Sequence, residues 1–183
     1  MHVNCVVLGK IIEALHGRPY DQVLRERLLE PLTMRDSGFE RQAAIVDGLA
    51  DTYMTTVDGA RLIHDLPVYR ENWYAAGAMY ATTTDLSVFS AALLSGQLIQ
   101  PDTLELMMTP GLDGYGYGLW LRTEGIGGRR YQAMLRPGSA MGANAAWCHV
   151  FDADVTVIVL SNTDQTALDG FAYDVGRWIV EAG

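Results

Sequence analysis

The sequence predicts an α/β sandwich, in which an antiparallel sheet is covered by a C-terminal helix and by a helical layer. Three observations lead to this prediction. Apolar residues recur at three- and four-residue spacing in the first third, β-rich residues alternate in the last third, and a final apolar stripe of helical period follows. With 183 residues, 49% of them hydrophobic and 19% charged, we expect one domain with a sizeable core over residues 1–183.

The first two helices are predicted from spacing and from their breakers. Gly17 suits the left-handed position after a helix, and Pro19 suits the first position of the next one, over about residues 20–28. No N-cap residue precedes the first helix, so we expect the chain to be the C-terminal portion of a larger fold. The apolar face of the first helix consists of Val3, Val6, Val7, Ile11 and Leu15.

The middle of the chain predicts one hairpin and two helices. Asp58-Gly59 lies between two short β-rich runs, which is typical of a hairpin. Thr82 and Asp85 resemble a capping box, in which Thr82 accepts from the Asp85 N–H and the Asp85 carboxylate reaches back. We expect the helix that begins there to end at Gly96, and a shorter helix to begin near Pro101.

The last third predicts four strands and a helix. The strands are expected at about residues 117–122, 130–135, 144–151 and 155–161, and the helix at about 167–182. Residues 155–160 are nearly all apolar, which favours a central strand buried on both faces. The side of the helix that covers the sheet is expected to carry Leu168, Phe171, Val175, Trp178 and Ile179.

Charge and composition exclude several classes of function. Thirteen basic against 22 acidic residues give a net charge of −9, which disfavours nucleic-acid binding and attachment to anionic membranes. No apolar run is long enough to span a bilayer, and the order of residues typical of a signal peptide is missing, so the chain is expected to be soluble and its compartment stays open. Cys5 and Cys148 either form one bridge or are two buried thiols, and His64 and His149 stand alone, so we expect no metal and no cofactor.

Four stretches, in the right order and spacing, resemble one family. They are EPLTMRDSGF at residues 30–39, AGAMYATTTDL at 76–86, YGYGLW at 115–120 and VTVIVLSN at 155–162. Together they are similar to the C-terminal part of the serine β-lactamase-like family, which includes class C β-lactamases, penicillin-binding D-Ala-D-Ala peptidases and esterases. The resemblance implies a β-lactamase/transpeptidase-like fold, present here in part, and serine-based acyl transfer to a β-lactam, D-alanyl peptide or ester.

The motifs of that family are mostly missing. Its nucleophile lies in Ser-x-x-Lys, but Lys10 is the only lysine and position 7 is Val7. The family's Tyr-x-Asn motif places its Asn at His2 and its Tyr before the first residue. The resemblance therefore implies no catalytic residue in this chain, with His2 in place of the motif's Asn.

One motif survives in altered form at residues 135–139. The family's Lys-Thr-Gly or His-x-Gly strand aligns with Arg136, Pro137 and Gly138, and its oxyanion donor corresponds to the Ser139 N–H. Arg136 can clamp a carboxylate with two hydrogen bonds, and Gly138 lets a substrate approach. The substrate-binding candidates are thus Arg136, Gly138, Ser139 and His2. The alternative is an ordinary strand end followed by a Pro-Gly turn.

Three hypotheses follow. The chain is the catalytically incomplete C-terminal half of a serine hydrolase, or a pseudoenzyme that binds a small carboxylate or β-lactam-like ligand through Arg136, or a folded fragment without function. Because the family's first strands belong to the same sheet, their absence would leave an exposed sheet edge. We expect self-association or a complementing chain at that edge.

Overall fold

The computed structural model describes residues 2–65, 69–126, 128–165 and 167–182. The chain forms two compact units, one of residues 1–50 and 66–89 and the other of residues 51–65 and 90–183. Each unit combines segments that are distant in the sequence. The expectation of a single domain over residues 1–183 stays a prediction.

Helices and strands follow the predicted order, from helices to hairpin to sheet. The helices are α1 (His2–His16), α2 (Tyr20–Leu24), a π-helical turn (Arg25–Leu29), α3 (Thr83–Leu94), α4 (Pro101–Met107), α5 (Leu168–Ala182) and the 3-10 helices Arg70–Ala76, Leu112–Gly114 and Phe151–Ala153. The strands are β1 (Gly38–Phe39), β2 (Tyr53–Thr55), β3 (Leu62–His64), β4 (Met79–Tyr80), β5 (Trp120–Ile126), β6 (Arg129–Ala140), β7 (Ala143–Val150) and β8 (Val155–Ser161). None of the described helices is both long and apolar enough to cross a bilayer.

Helix α1 ends as predicted, but its packed face is not the predicted one. Gly17 has φ +65°, which confirms the left-handed stop. The packed side carries Gly9, where an added Cβ would lie 2.6 Å from the Tyr74 ring and 2.7 Å from the Ala75 Cβ. This close approach selects the Gly9 face, because only glycine allows it. The predicted apolar face is exposed and consists of Val3, Val6, Val7, Ile11 and Leu15.

The second helix changes its period halfway. Pro19 is the N-cap of α2 rather than its first residue, and from Arg25 the chain widens into the π-helical turn. A π turn adds one residue, so it shifts the buried side by one position. Val23 and Leu29 are therefore the buried residues of this segment.

The start of α3 uses only half of the predicted capping box. Thr82 Oγ1 accepts from the Asp85 N–H at 3.2 Å, as predicted. The Asp85 carboxylate instead accepts from the backbone N–H of Asp36 at 2.9 Å and from the Ser37 hydroxyl at 2.8 Å. Asp85 is buried, so these bonds tie the loop before β1 to the first turn of α3.

The second unit is built on a four-stranded antiparallel sheet of order β5-β6-β7-β8. Strand β6 is longer than predicted and continues through Pro137 and Gly138, so the alternative of a Pro-Gly turn at this point is excluded. The chain reverses only at Met141 and Gly142, between the paired residues Ala140 and Ala143. Met141 has φ +50°, which such a two-residue connection requires.

The final strand and the final helix both differ from the prediction, the strand in its place in the sheet and the helix in its buried side. Strand β8 was expected to be central, but within the described part of the chain it pairs with β7 alone and forms an edge. Helix α5 covers the sheet mainly over β7 and β8. Its buried residues are Leu168, Ala172 and Gly176, whereas Phe171 and Trp178 are exposed. Small residues occupy the inward positions because α5 lies close to the sheet. An added Cβ on Gly176 would lie 3.3 Å from the Val150 side chain.

The predicted hairpin is present as β2 and β3, and it docks on the far end of the sheet. Tyr53 donates its backbone N–H to Asn162 O at 2.9 Å. An added Cβ on Gly142 would lie 2.6 to 2.8 Å from Tyr53 backbone atoms. The Asp65 carboxylate accepts from the Gly142 N–H at 3.2 Å and from Thr52 Oγ1 at 3.0 Å. These contacts hold the hairpin against the β6–β7 turn.

Candidate functional site

The C-terminal half of β6 is a half-open strand. Pairing between β5 and β6 runs from Ile126↔Arg129 to Trp120↔Leu135 and ends there. Pairing between β6 and β7 continues to Ala140↔Ala143. Among the described residues, the segment Arg136–Ala140 therefore has a strand neighbour on one side only. Such an edge can receive an extended ligand through backbone hydrogen bonds.

Proline at position 137 fits this edge and indicates the direction of the Ser139 amide. Pro137 has no N–H, so it is tolerated on a strand where its nitrogen faces an unpaired side. Residues two apart on a β-strand direct their peptide groups to the same side. The Ser139 N–H is thus directed to the same open side as the Pro137 nitrogen. Ser139 is exposed, which leaves room for an acceptor.

Arg136 supplies the positive charge next to this edge. Its guanidinium carbon lies 5.9 Å from the centre of the Trp120 ring. The Trp120 ring packs edge-on against the Tyr115 ring, with 4.8 Å between the two ring centres. The side chain of Arg136 is half-buried. An aromatic face beside a guanidinium restricts its motion and lowers the entropy cost of binding an anion.

Gly138 leaves the strand next to Arg136 without a projecting side chain. An added Cβ would meet only the Ala145 Cβ, at 3.9 Å, which is an ordinary contact distance. The two residues are direct partners across β6 and β7. Because both side chains are minimal, a ligand can approach the backbone here.

Strand β7 is fixed behind the edge by side-chain bonds. Trp147, the partner of Arg136, donates from Nε1 to the Ser90 hydroxyl at 3.0 Å. Asn144, the partner of Ser139, donates from Nδ2 to Thr163 O at 3.3 Å. Ser90 is only 1% exposed, so its bond is shielded from water. The strand opposite the candidate site is therefore held in place at both positions.

The structure brings together three of the four predicted site residues. Arg136, Gly138 and Ser139 lie on one strand, whereas the side chain of His2, the first residue of α1, lies outside the described part of the structure. The contact of Tyr115 with Trp120 was not predicted from the sequence. Alternation along one strand would separate those rings, but β5 begins only at Trp120 and Gly118 has φ +90°, so the chain folds back. The repeated glycines of Tyr-Gly-Tyr-Gly were the available signal.

Lys10 is occupied by a structural role. Its ammonium donates to Glu13 Oε2 at 2.8 Å and lies 4.4 Å from the centre of the Tyr74 ring. The Lys10 ammonium, the Tyr20 amide and the Tyr74 hydroxyl lower the pKa of Glu13 to about 2. The Lys10 ammonium is therefore one partner of an exposed ion pair between neighbouring turns of α1.

Two further candidates for chemistry are core groups. Burial raises the pKa of the Cys148 thiol to about 11, so the thiol stays neutral and is a poor nucleophile. Burial also lowers the pKa of His149, whose Nδ1 lies 2.8 Å from Thr156 Oγ1. Within the described part of the chain, no three His, Cys, Asp or Glu side chains are arranged to hold a metal ion. Cys5 and Cys148 are both free.

The site thus consists of an open, basic strand segment on an antiparallel sheet that a helix covers across one face. Residues 2–179 match the Beta-lactamase family profile. The chain therefore belongs to the beta-lactamase family, a family of hydrolases.

Individual relatives agree with this membership. The chain is 29% identical over 119 residues to PbpX of Bacillus subtilis (strain 168), named as a penicillin-binding protein, covering 64% of this chain and 30% of the relative. It is 27% identical over 124 residues to the teichoic acid D-alanine hydrolase of Staphylococcus aureus (strain MRSA252), covering 65% of this chain and 31% of the relative. The chain thus spans about a third of the length of these relatives.

A solved structure shows the same fold. The octameric penicillin-binding protein homologue from Pyrococcus abyssi superimposes with a TM-score of 0.78 at 24% identity, over 96% of this chain and 42% of that one. The fold class predicted from the sequence, a β-lactamase-like α/β sandwich present in part, is confirmed.

Proposed function

We propose that this chain provides the carboxylate-binding edge of a β-lactamase-like acyl-hydrolase site and does not turn over substrate alone. The observation that carries the proposal is the half-open segment of β6, where Arg136, Gly138 and the Ser139 amide lie next to each other. Arg136 binds the carboxylate of a small acyl-D-amino acid or a β-lactam. The Ser139 N–H donates to the carbonyl oxygen of the same ligand.

The choice of ligand class rests on charge and on the relatives. A guanidinium next to a backbone donor suits a ligand in which a carboxylate and a carbonyl are a few atoms apart. Acyl-D-alanine and β-lactams have this arrangement. One relative is named as a D-alanine hydrolase and another as a penicillin-binding protein, which supports the same chemistry.

The lack of turnover follows from the absent nucleophile and base. Position 7, three residues before the only lysine, is Val7, and Lys10 is held by Glu13. Without a serine activated by a base, the edge can bind a carbonyl compound but cannot form an acyl-enzyme. The complete site then requires a further segment or chain, and self-association at an exposed edge belongs to the same proposal.

Ligand-induced stabilisation tests the binding edge. Thermal unfolding of the chain is followed with millimolar N-acetyl-D-alanine or benzylpenicillin, and each should raise Tm. Arg136→Ala should abolish the shift, and Arg136→Lys should retain only part of it because the ammonium lacks the planar fork. An unchanged Tm of the parent chain with both ligands contradicts the proposal.

Two substitutions at one position separate the backbone donor from the hydroxyl. Ser139→Ala keeps the N–H and should preserve the Tm shift, so it is the matched control. Ser139→Pro removes the N–H and should reduce the shift while the ligand-free chain stays folded, because that amide faces the open side. A loss with Ser139→Ala would assign binding to the hydroxyl and overturn the role of the amide.

Intact mass tests the absence of turnover. The chain is incubated with a serine-reactive fluorophosphonate and, separately, with a β-lactam. We expect no mass increase in either case. A single stoichiometric adduct would reveal a nucleophile, and Ser139 would be the first residue to map.

A further inference from the structure

The open segment of β6 ends in a turn that sets the direction of its last peptide groups. Ala140 is paired with Ala143, and the two residues between them form the turn. The residues that flank a two-residue turn form a hydrogen-bonded pair, so the peptide groups of Ala140 face β7. Neighbouring residues of a strand direct their N–H groups to opposite sides, and the Ser139 N–H therefore faces the open side. This direction agrees with the proline two residues earlier.

Gly142 in this turn needs a hydrogen-bond acceptor from outside the turn. It is the third of the four turn residues, so its N–H takes no part in the hydrogen bond across the turn. Because Gly142 is buried, the acceptor must come from the protein. The Asp65 carboxylate supplies it, since Oδ2 accepts from the Gly142 N–H at 3.2 Å and from the Thr52 hydroxyl at 3.0 Å. Thr52 is buried as well, so a shielded side chain of the hairpin satisfies the backbone of the turn.

The hairpin that carries Asp65 is itself anchored to the sheet. Tyr53 of β2 donates its backbone N–H to Asn162 O at 2.9 Å and forms a parallel bridge with Thr163. The carbonyl of Thr163 accepts from the side chain of Asn144, the β7 partner of Ser139, at 3.3 Å. The hairpin therefore supports Ser139 in two ways, through the turn and through the strand behind it.

Close packing leaves the turn little freedom to move. An added Cβ on Gly142 would lie 2.6 to 2.8 Å from backbone atoms of Tyr53, so the turn already touches the hairpin and can shift only away from it. On the open side, β6 has no strand neighbour from Arg136 to Ala140 among the described residues. The position of Ser139 thus depends on β7 and on the turn.

We propose that Asp65 is a positioning residue of the carboxylate-binding edge. Through the Gly142 N–H, Asp65 holds the end of β6 where the Ser139 N–H meets the carbonyl oxygen of the ligand. This role rests on the proposed function, because it assigns to Asp65 the support of the same donor. Asp65 acts through Gly142 and does not itself bind the ligand.

Loss of the carboxylate should change the position of Ser139. A buried N–H without an acceptor is unfavourable, so the turn should open towards water, and Ser139 should move with it. A hydrogen bond weakens steeply as its angle departs from linearity. A donor that has become mobile must also be ordered again when the ligand binds, which lowers the affinity.

Nuclear magnetic resonance of the chain labelled with ¹⁵N-serine tests the proposal. Ser139→Ala removes one amide peak and so identifies the peak of Ser139. In the parent chain, millimolar N-acetyl-D-alanine should move this peak to lower field as the N–H donates to the ligand. Asp65→Ala should raise the Kd from this titration about tenfold and lower the heteronuclear NOE of the Ser139 amide in the ligand-free chain. Asp65→Asn keeps an acceptor oxygen and should stay close to the parent in both values.

Asp58→Ala is the matched control. The Asp58 carboxylate also accepts from a threonine hydroxyl, that of Thr56, and from a backbone N–H, that of Ala60. Its removal changes the net charge by the same amount, but both of its bonds stay within the tip of the hairpin. The Kd and the heteronuclear NOE of Ser139 should therefore keep their parent values.

The outcomes separate this role from the proposed function. If the parent binds and Asp65→Ala has the same Kd, the role of Asp65 is wrong while the binding edge stands. If Asp58→Ala weakens binding as much as Asp65→Ala does, the stability of the hairpin is responsible and the contact with Gly142 is not. If the Ser139 peak of the parent does not move with the ligand, the binding edge is wrong, and the role of Asp65 is wrong with it.

A milder variant covers the case in which circular dichroism shows Asp65→Ala to be unfolded. Thr52→Val keeps the shape of the side chain and removes the hydroxyl that orients the Asp65 carboxylate. It should raise Kd about threefold, because the carboxylate keeps its bond to Gly142 but is less well oriented. An unchanged Kd of Thr52→Val would then overturn the role of Asp65.

Discussion

The carboxylate of Glu13 in α1 accepts a 2.9 Å hydrogen bond from the backbone N–H of Tyr20, the first residue of α2. Pro19, the N-cap of α2, makes no side-chain bond to the helix. Glu13 therefore caps α2 from another helix and also holds Lys10. A negative charge at a helix N-terminus is favourable, so one carboxylate orients both helices.

This relationship predicts a loss of stability in acid. The pKa of Glu13 is lowered to about 2 from 4.5, chiefly by the Lys10 ammonium. A lowered pKa in the folded state gives stability that is present above about pH 4.5 and is lost as the pH falls towards 2. Glu13→Gln should be less stable than the parent at pH 7, and the difference should shrink at pH 3. Urea unfolding of both chains at pH 7 and at pH 3 measures this difference. An equal difference at the two pH values would refute a stabilising role of the Glu13 charge.

The second prediction concerns the backbone contact between Gly142 and Tyr53. A methyl group at position 142 would lie 2.6 to 2.8 Å from backbone atoms of Tyr53, which cannot move without displacing the hairpin. Gly142→Ala should therefore destabilise the chain by about 2–3 kcal/mol. Gly170→Ala is the matched control, because nothing lies within 4 Å of its added Cβ and it occupies a helix. It should stabilise by about 0.5–1 kcal/mol in the same denaturant series.

The third prediction concerns the bond from Trp147 to Ser90, which supports the strand opposite Arg136. Ser90→Ala should cost about 1–2 kcal/mol, because it leaves the indole N–H without this acceptor. The double variant with Trp147→Phe should be less destabilised than the sum of the single variants, by about 1 kcal/mol. A strictly additive cycle in chemical denaturation would show that this bond contributes nothing to stability.

The fourth prediction concerns Asp85. Asp85→Ala leaves the Asp36 amide and the Ser37 hydroxyl without their buried acceptor and should cost about 3 kcal/mol. Ser37→Ala removes only one of the two bonds and should cost about 1 kcal/mol. Equilibrium unfolding of the two variants compares them. If Ser37→Ala lowered the free energy of unfolding as much as Asp85→Ala does, the hydrogen bond from the Asp36 N–H to Asp85 would contribute nothing to stability.

Much of the fold was predictable because its signals are local. Gly17, Gly96 and the Asp58-Gly59 pair mark their turns through left-handed backbone preference, and alternation placed β7 and β8 within a residue or two. The buried faces were harder to predict. The inward side of α5 depends on Gly176 fitting against Val150, a contact between segments distant in the sequence that periodicity cannot show.

The residues of the candidate site could be proposed from the sequence, but their place in the sheet could not. Resemblance to the family pointed to Arg136, Gly138 and Ser139, but the sequence left a Pro-Gly turn equally open. Pairing of β6 with β7 as far as Ala140 excludes the turn, and pairing of β5 with β6 only as far as Leu135 leaves Pro137 on a strand with one free side. That these residues bind a ligand stays a prediction. Register over two strands is a property of the assembled sheet, so no local pattern contains it.

The hairpin of residues 51–65 interrupts the sequence of the first unit yet belongs to the second. The backbone N–H of Tyr53 donates to the carbonyl of Asn162, which is synthesised more than a hundred residues later. This hydrogen bond cannot form until then. The segments of the first unit end at residue 89, so they leave the ribosome well before Asn162 does. We expect pulse-labelling hydrogen exchange to protect the Tyr53 amide in the same late phase as β8, and protection in the phase of α1 would contradict this order. During synthesis, Tyr53 therefore leaves the ribosome long before Asn162, its hydrogen-bond partner.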